Sequence, residues 1–359
     1  MKIAIYTLPF TWNYGGILQC FALTKTLESQ GHQVTVLYQR KNCGLLKKTL
    51  KRIKWTVIPL LHKAGLAKGN PLVLMESFYA RWFNNRSPLF FTSSELKSYC
   101  DSQKFDACIV GSDQIWRFGS AQDIYSSFLE FVDAAKTRKI AYAVSFGVDN
   151  WEYTPEATER CASLVKDFCV VSTRESSGVD LCRQYLKTEA FHTLDPTLLA
   201  GKSLFAPLVK EQKNTPGVFY YFLDSNAEKL RMLNTVRLVL GKPCTGHIDS
   251  SGKFLSIVEW VGNIANSDFV ITDSFHGTCF AILFNKPFVA IYNVKRGNAR
   301  FVSLLECLGL MDRLVDEHAD IRQLAQTPVD YELVNKKLND LRTFSLSVLD
   351  KGLYGTERV

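Results

Sequence analysis

The chain has 359 residues, 47% of them apolar and 22% charged, a composition that suits a soluble globular protein with two domains. No apolar run approaches the ~18 residues needed to span a bilayer, and the start MKIAIYTLPF lacks the apolar core of a signal peptide, so a cytoplasmic location is expected. Ten cysteines without a CxxC or Cys/His ligand spacing argue against a structural zinc site, and free thiols suit a reducing compartment.

Lys2 to Thr7 reads as a first strand, followed by a loop. Gly15-Gly16 then opens a helix to about Gln30, which Gly31 closes. Gln33 to Tyr38 is a second strand. The connecting loop TLPFTWNYGGILQ has no GxGxxG, so dinucleotide binding is a poor fit, yet two glycines at a helix start let an anion approach backbone N–H groups.

The net charge of +8 has a local source. Between Glu28 and Glu76 there is no acid, while Arg40, Lys41, Lys47, Lys48, Lys51, Arg52, Lys54, Lys63 and Lys68 supply nine cations. Without those nine, 34 basic residues stand against 35 acidic. LLKKTLKRIKWTVIPLL is basic and amphipathic, and Pro59 is expected to cut it. A segment of this kind, 40–68, can lie on an anionic membrane surface, and a solvated helical insertion fits it equally well. No recognition motif accompanies the charge, so nucleic acid is not an expected partner.

A helix is expected around Met75 to Asn84. Four buried strands follow, at Asp106–Val110, Lys139–Val144, Phe168–Val171 and Glu189–Thr193, each ending in polar or small residues. In a parallel sheet those ends share an edge, so Asp113, Ser145 and Arg174 should face one cleft. Leu199 to Gly217 reads as a linker. Beyond it come a strand at Val218–Leu223, a helix near Glu228–Leu240, a loop over Gly241–Lys253 and a helix at Ile257–Asn266.

FVITDSFHGTCFAILFNKPFVAIY, Phe269 to Tyr292, is a compact strand–helix–strand unit. Ser274 is the expected N-cap of its helix, and His276 stands in the first turn, where the helix dipole disfavours a second positive charge. Lys295 to Arg300 should reach the same edge. An amphipathic helix at Phe301–Leu308 and a helical tail at Tyr331–Leu349 complete the chain. The expected fold is α/β, with two Rossmann-like domains facing across a cleft in a glycosyltransferase-B-like arrangement. The domains are placed at 1–205 (carrying the insertion 40–68) and 206–335, with a helix at 336–359 packing back on the first.

Arg174, Arg300, Arg296, Lys295 and His276, with two helix amino termini, describe a site for a substrate bearing more than one negative group. A Walker lysine motif, a clustered carboxylate set for magnesium and a GxSxG elbow are all missing, which disfavours kinase and serine-hydrolase chemistry.

NYGGILQCFAL (13–23), VGSDQIWR (110–117), AYAVSFG (141–147), STRESSG (172–178), LDPTLL (194–199) and TDSFHGT (272–278) together resemble the polysaccharide pyruvyl transferase family. That resemblance implies transfer of the enolpyruvyl unit of phosphoenolpyruvate to a sugar of a cell-surface polysaccharide or its lipid-linked precursor, giving a pyruvate ketal and phosphate. Phosphoenolpyruvate is then a donor substrate, and no metal or cofactor is required. The phosphate falls to Arg300, His276 and the helix start at Gly277, the carboxylate to Arg174 with Ser145 or the Gly15-Gly16 backbone, and the two clamps are interchangeable. His276 is the best acid/base candidate, with Asp113 or Asp273 activating the acceptor hydroxyl. Asn13, Tyr14, Gly15, Gly16 and Ser112 shape the substrate loops, Trp116 and Trp12 are candidates to stack on sugar rings, and Asp195-Pro196 fixes a turn. Two other readings compete: a nucleotide-sugar glycosyltransferase, for which Glu259 is the nearest ribose-gripping carboxylate, and a non-catalytic glycan-binding relative.

Overall fold

In the computed structural model, residues 1–10, 13–63, 71–120, 123–210, 216–251, 254–292 and 297–355 are described. They form two compact units, one made of Met1–Leu199 with the chain from Arg342 onward, the other of Ala200–Leu341. The divisions thus fall at 199/200 and 341/342 where the sequence suggested 205/206 and 335/336.

The first unit runs β1 (Lys2–Tyr6), α1 (Tyr14–Ser29), β2 (Gln33–Gln39), α2 (Leu45–Lys63), α3 (Pro71–Trp82), β3 (Arg86–Phe90), α4 (Ser93–Gln103), β4 (Ala107–Val110), α5 (Ile124–Ser127), β5 (Arg138–Val144), α6 (Pro155–Leu164), β6 (Phe168–Thr173), α7 (Ser176–Leu181) and β7 (Phe191–His192). Helix α8 (Pro196–Ala200) then leads into the second unit. That unit runs α9 (Lys202–Lys210), β8 (Val218–Phe222), α10 (Ala227–Leu240), β9 (Cys244–Ile248), α11 (Ile257–Asn266), β10 (Phe269–Thr272), α12 (Phe275–Leu283), β11 (Phe288–Ile291), α13 (Ala299–Leu308), β12 (Leu314–Val315) and α14 (Arg322–Gln326). Helix α15 (Tyr331–Tyr354) begins in the second unit and ends in the first.

Both sheets are parallel, in the orders β3-β2-β1-β4-β5-β6-β7 and β12-β11-β10-β8-β9. The central strands are short apolar runs buried on both faces, such as ACIV in β4 and FVIT in β10, because helices cover each side. Strand order reverses between β1 and β4 in the first sheet and between β10 and β8 in the second. Crevices at such reversals, outside the carboxyl ends of the strands, are where open α/β sheets bind ligands.

Several elements depart from the sequence expectation. Strand β3, RSPLF, carries Pro88 and lies at the sheet edge, where a missing N–H is tolerated. Strand β9, expected as loop, is the opposite edge of the second sheet, half exposed and without an apolar run. Much of the expected linker is helix α9, whose Phe205 and Leu208 are buried, Phe205 lying 4.9 Å from Phe280 edge to face. That packing moves the boundary upstream. Helix α2 also runs through Pro59. Proline leaves the carbonyl four residues back without its helical partner, and Arg86 Nη2 donates to that oxygen, Trp55 O, at 3.4 Å. The final strand shrinks to Phe191–His192. Within the first unit, the latter half of α15 is tied down by Arg342 Nε donating to Leu198 O (2.7 Å) and Leu194 N donating to Ser345 Oγ (3.0 Å). Among the described residues, no helix is long and apolar enough to cross a membrane.

Candidate active site

In the first unit the reversal between β1 and β4 is built by Asn13, which caps α1, and Asp113, three residues past β4. Asn13 accepts from Gly16 N at 2.9 Å and donates Nδ2 to Asp113 Oδ2 at 2.8 Å. Gly16 allows this approach, since a Cβ there would lie 2.9 Å from both Asn13 Nδ2 and Asp113 Oδ2. Asp113 has φ of 79°, a left-handed conformation that short polar side chains tolerate better than most. It bridges to Val144 of β5.

Behind Asp113 lies a buried charge network. Arg174, just past β6, donates Nη2 to Asp113 Oδ1 (3.3 Å) and Nη1 to Asp195 Oδ2 (2.9 Å). Asp195 also accepts from Ser112 Oγ (3.1 Å), Thr197 N (2.9 Å) and Thr197 Oγ1 (2.7 Å). Burial opposes the charge on Arg174, but Asp113, Asp195 and Glu175 outweigh it and hold the guanidinium pKa above its ordinary value. His192 Nε2 meets Arg174 O at 3.3 Å, and burial lowers its pKa.

A cavity of about 320 Å³ opens beside this network within the first unit. Asn13, Gly16 and Asp113 line one part of it, and Arg40, Lys41 and Lys51 another. Space of this size accommodates a small molecule, and its lining offers a carboxylate for hydroxyl groups beside cations for negative ones.

In the second unit the reversal between β8 and β10 is closed by Asp273. Its Oδ1 accepts from Leu223 N (2.6 Å), and its Oδ2 accepts from Lys229 Nζ (2.6 Å). Burial raises the Asp273 pKa despite these donors. Ser274 caps α12, accepting from Gly277 N at 3.3 Å. Gly277 must be glycine because a Cβ would lie 2.6 Å from Thr272 Oγ1. Phe275 then gathers two site residues. The His276 ring lies edge to face with it at 5.3 Å, and Arg300, in the first turn of α13, sets its Cζ 5.5 Å from the same ring. His276 and Arg300 are both buried, at 5% and 7% exposure, so an imidazole and a guanidinium each pack against the Phe275 ring largely out of water.

A family model described as polysaccharide pyruvyl transferase matches residues 13–295. The chain belongs to that family. No curated protein compared with it matches. Among solved structures it is similar to UDP-GlcNAc 2-epimerase from Neisseria meningitidis bound to UDP-GlcNAc (11% identity, TM-score 0.54, covering 98% of this chain and 100% of that one). It is also similar to S. aureus MnaA in a co-structure with UDP (10% identity, TM-score 0.55, covering 99% and 98%). These likenesses show the fold, which is α/β and glycosyltransferase-B-like.

Several residues of this pyruvyl transferase family member sit differently from the sequence expectation. Trp116 is fully buried, stacked on Phe128 at 4.4 Å with Nε1 bonded to Ser127 O, so it is core and not a platform for a sugar. Arg174 has a side chain with 0% exposure engaged by two carboxylates, so it orients Asp113 where a substrate clamp was expected. Ser112 acts on Asp195, and the Ser145 hydroxyl accepts from Gly147 N; both serines are fully buried. Tyr14 and Gly15 are buried within α1, leaving Asn13 and Gly16 to line the cavity. The Gly277 N–H donates to the Ser274 cap, and Asp273 is paired with Lys229, so each already has a partner within the second unit. Glu259 closes a capping box with Ser256, so its carboxylate is also occupied. Trp12, Lys68, Lys295 and Arg296 lie outside the described residues.

Sequence reading missed Lys229, because nothing in its helical context marks a buried lysine. It treated Asp195 as a turn residue, although the motif LDPTLL drew attention to it. It also passed over His247, buried past the middle of β9, where Nε2 meets Asp249 Oδ1 at 3.0 Å. Tyr221 donates to the other oxygen of Asp249 at 2.9 Å, and its ring stacks on His247 with centroids 5.9 Å apart. No signal in the sequence links these three, since strand pairing alone aligns Tyr221 with His247.

Proposed function

We propose that this enzyme moves the enolpyruvyl unit of phosphoenolpyruvate onto two hydroxyls of a saccharide, forming a pyruvate ketal and releasing phosphate. Family membership supports a transferase acting on polysaccharide. The observation that carries the finer reading is the convergence of His276 and Arg300 on Phe275 at the start of α12.

On this reading the second unit takes the donor. Arg300 holds the phosphate, and its charge offsets the negative charge that builds on phosphate as the C–O bond breaks. His276 gives a proton to the donor methylene, which becomes the methyl group and leaves C2 electron-poor. The first unit takes the acceptor, with Asp113, aligned by Arg174 and Asn13, accepting the proton of the attacking hydroxyl. Loss of phosphate regenerates an electron-poor C2, and the second hydroxyl closes the ring as its proton passes to the departing phosphate. Each proton transfer is worth roughly 10²–10⁴ in rate. The acceptor is a sugar of a cell-surface polysaccharide or its lipid-linked precursor, which puts the enzyme at the inner membrane face with the basic segment 40–68 toward anionic lipid.

Thermal shift with phosphoenolpyruvate beside UDP-GlcNAc tests the donor, and phosphate release across a panel of saccharides tests transfer. Stabilisation by phosphoenolpyruvate and acceptor-dependent phosphate release that disappears in His276→Ala are expected. Stabilisation by UDP-GlcNAc alone would replace this reading with a nucleotide-sugar transferase. The capping-box engagement of Glu259 weighs against that alternative.

A further inference from the structure

Helix α2 has two sides that do different things. One side holds it to the first unit. Trp55 is buried and stacks on Tyr38 with centroids 4.0 Å apart, and Arg86 covers Trp55 at 4.8 Å. Arg52 pairs with Glu95 at 2.9 Å, and Lys48, Lys51 and Arg52 lie 5.7, 5.8 and 5.3 Å from the Phe91 ring. The other side carries Leu46, Leu50, Ile53 and Val57, exposed at 76%, 51%, 53% and 38%. Their spacing of four, three and four residues is one stripe on an α-helix, and at 100° per residue it points away from Trp55.

This stripe is not ordinary surface scatter. With Leu45, α2 holds five of the eleven exposed large apolar side chains among the described residues. A contiguous apolar face of this kind marks an interaction surface. Charge decides its occupant. Lys47 and Lys54 are exposed along one edge of the stripe, and no acid occurs between Glu28 and Glu76. Two copies of the helix would set cation against cation, which disfavours self-pairing. An anionic bilayer satisfies both features, taking the apolar stripe into the acyl boundary and the lysines among the headgroups.

We infer that α2 docks this enzyme on anionic membranes through Leu46, Leu50, Ile53 and Val57, with Lys47 and Lys54 as its electrostatic contacts. The inference rests on the membrane placement above and names its surface, but it is independent of the ketal chemistry. Lys51 on the inner side of the same helix lines the cavity beside Asp113, so a docked α2 borders that cavity.

Flotation of the full-length protein with phosphatidylcholine vesicles, with and without phosphatidylglycerol, reads the partition directly. Binding is expected only with the anionic lipid. Leu50→Asn with Ile53→Asn should weaken it by about 100-fold, near tenfold for each buried apolar side chain lost. Lys47→Ala with Lys54→Ala should weaken it by about 30-fold, near fivefold per cation. Both pairs are exposed, so melting temperature and phosphate release with a soluble acceptor should match the parent, which separates failure here from failure of the proposed activity. Absence of binding, or binding indifferent to the apolar pair, would overturn the inference. So would a concentration-dependent dimer in sedimentation that the apolar pair dissolves, because a second copy would then cover the stripe.

Discussion

Replacing Arg174 with Met tests whether the buried network is the scaffold of the first-unit site. The guanidinium has 0% side-chain exposure, and its partners Asp195 and Asp113 have 0% and 6%. Removing one member of such a set leaves charge buried without its counterion, at a cost of about 3–5 kcal/mol. The lower end applies, because Asp195 keeps Ser112 and Thr197 as donors and Asp113 keeps Asn13. A loss near 3 kcal/mol from a total of about 5–15 leaves the protein folded and lowers its melting temperature by about 6–12 °C. Without the guanidinium two buried carboxylates face each other with no counterion, so adding Asp195→Asn, which removes one of those charges, should recover part of the loss. Urea denaturation of parent, Arg174→Met and the double variant at pH 8 measures this. A deficit below about 1 kcal/mol, or a double variant less stable than Arg174→Met, would refute the reasoning.

Gly16→Ala gains about 1 kcal/mol of helix propensity but drives a methyl into the Asn13–Asp113 bond, a charge-assisted contact worth about 1.5–3 kcal/mol. Melting temperature should therefore move by only a few degrees while phosphate release falls at least tenfold, and equal losses in both would contradict the assignment. His192 has a pKa lowered by burial, so the unfolded chain binds the extra proton first as pH drops. Its stability contribution is complete above about 6.5 and is lost as pH falls toward the folded value, and His192→Asn should flatten that part of a stability–pH curve. Trp116→Ala should cost about 3–5 kcal/mol in denaturation, as for a large core side chain, without a selective change in saccharide KM. A selective KM change with intact stability would restore Trp116 as a sugar platform.

Local pattern was enough for much of this protein. Four-residue apolar runs announce β4 and β10, Ser274 announces the start of α12, and the ordered motifs from Asn13 to Thr278 announce the family. These features depend on neighbours a few residues apart, which is the range over which periodicity and capping operate. The edge strands β3 and β9 escaped because a half-exposed strand need not be apolar. Which partners the residues at the strand ends meet was decided only by tertiary structure. Asn13 meets Asp113 across 100 positions, Arg174 meets Asp195 across 21, and Asp273 meets Lys229 across 44. Each pair meets because of which strands lie side by side and where their order reverses, and hydrophobic periodicity carries no record of that order. The same reason sets Arg174 in a buried ion pair with Asp113 and Asp195, and Asp273 against Lys229, partners that no local pattern announces.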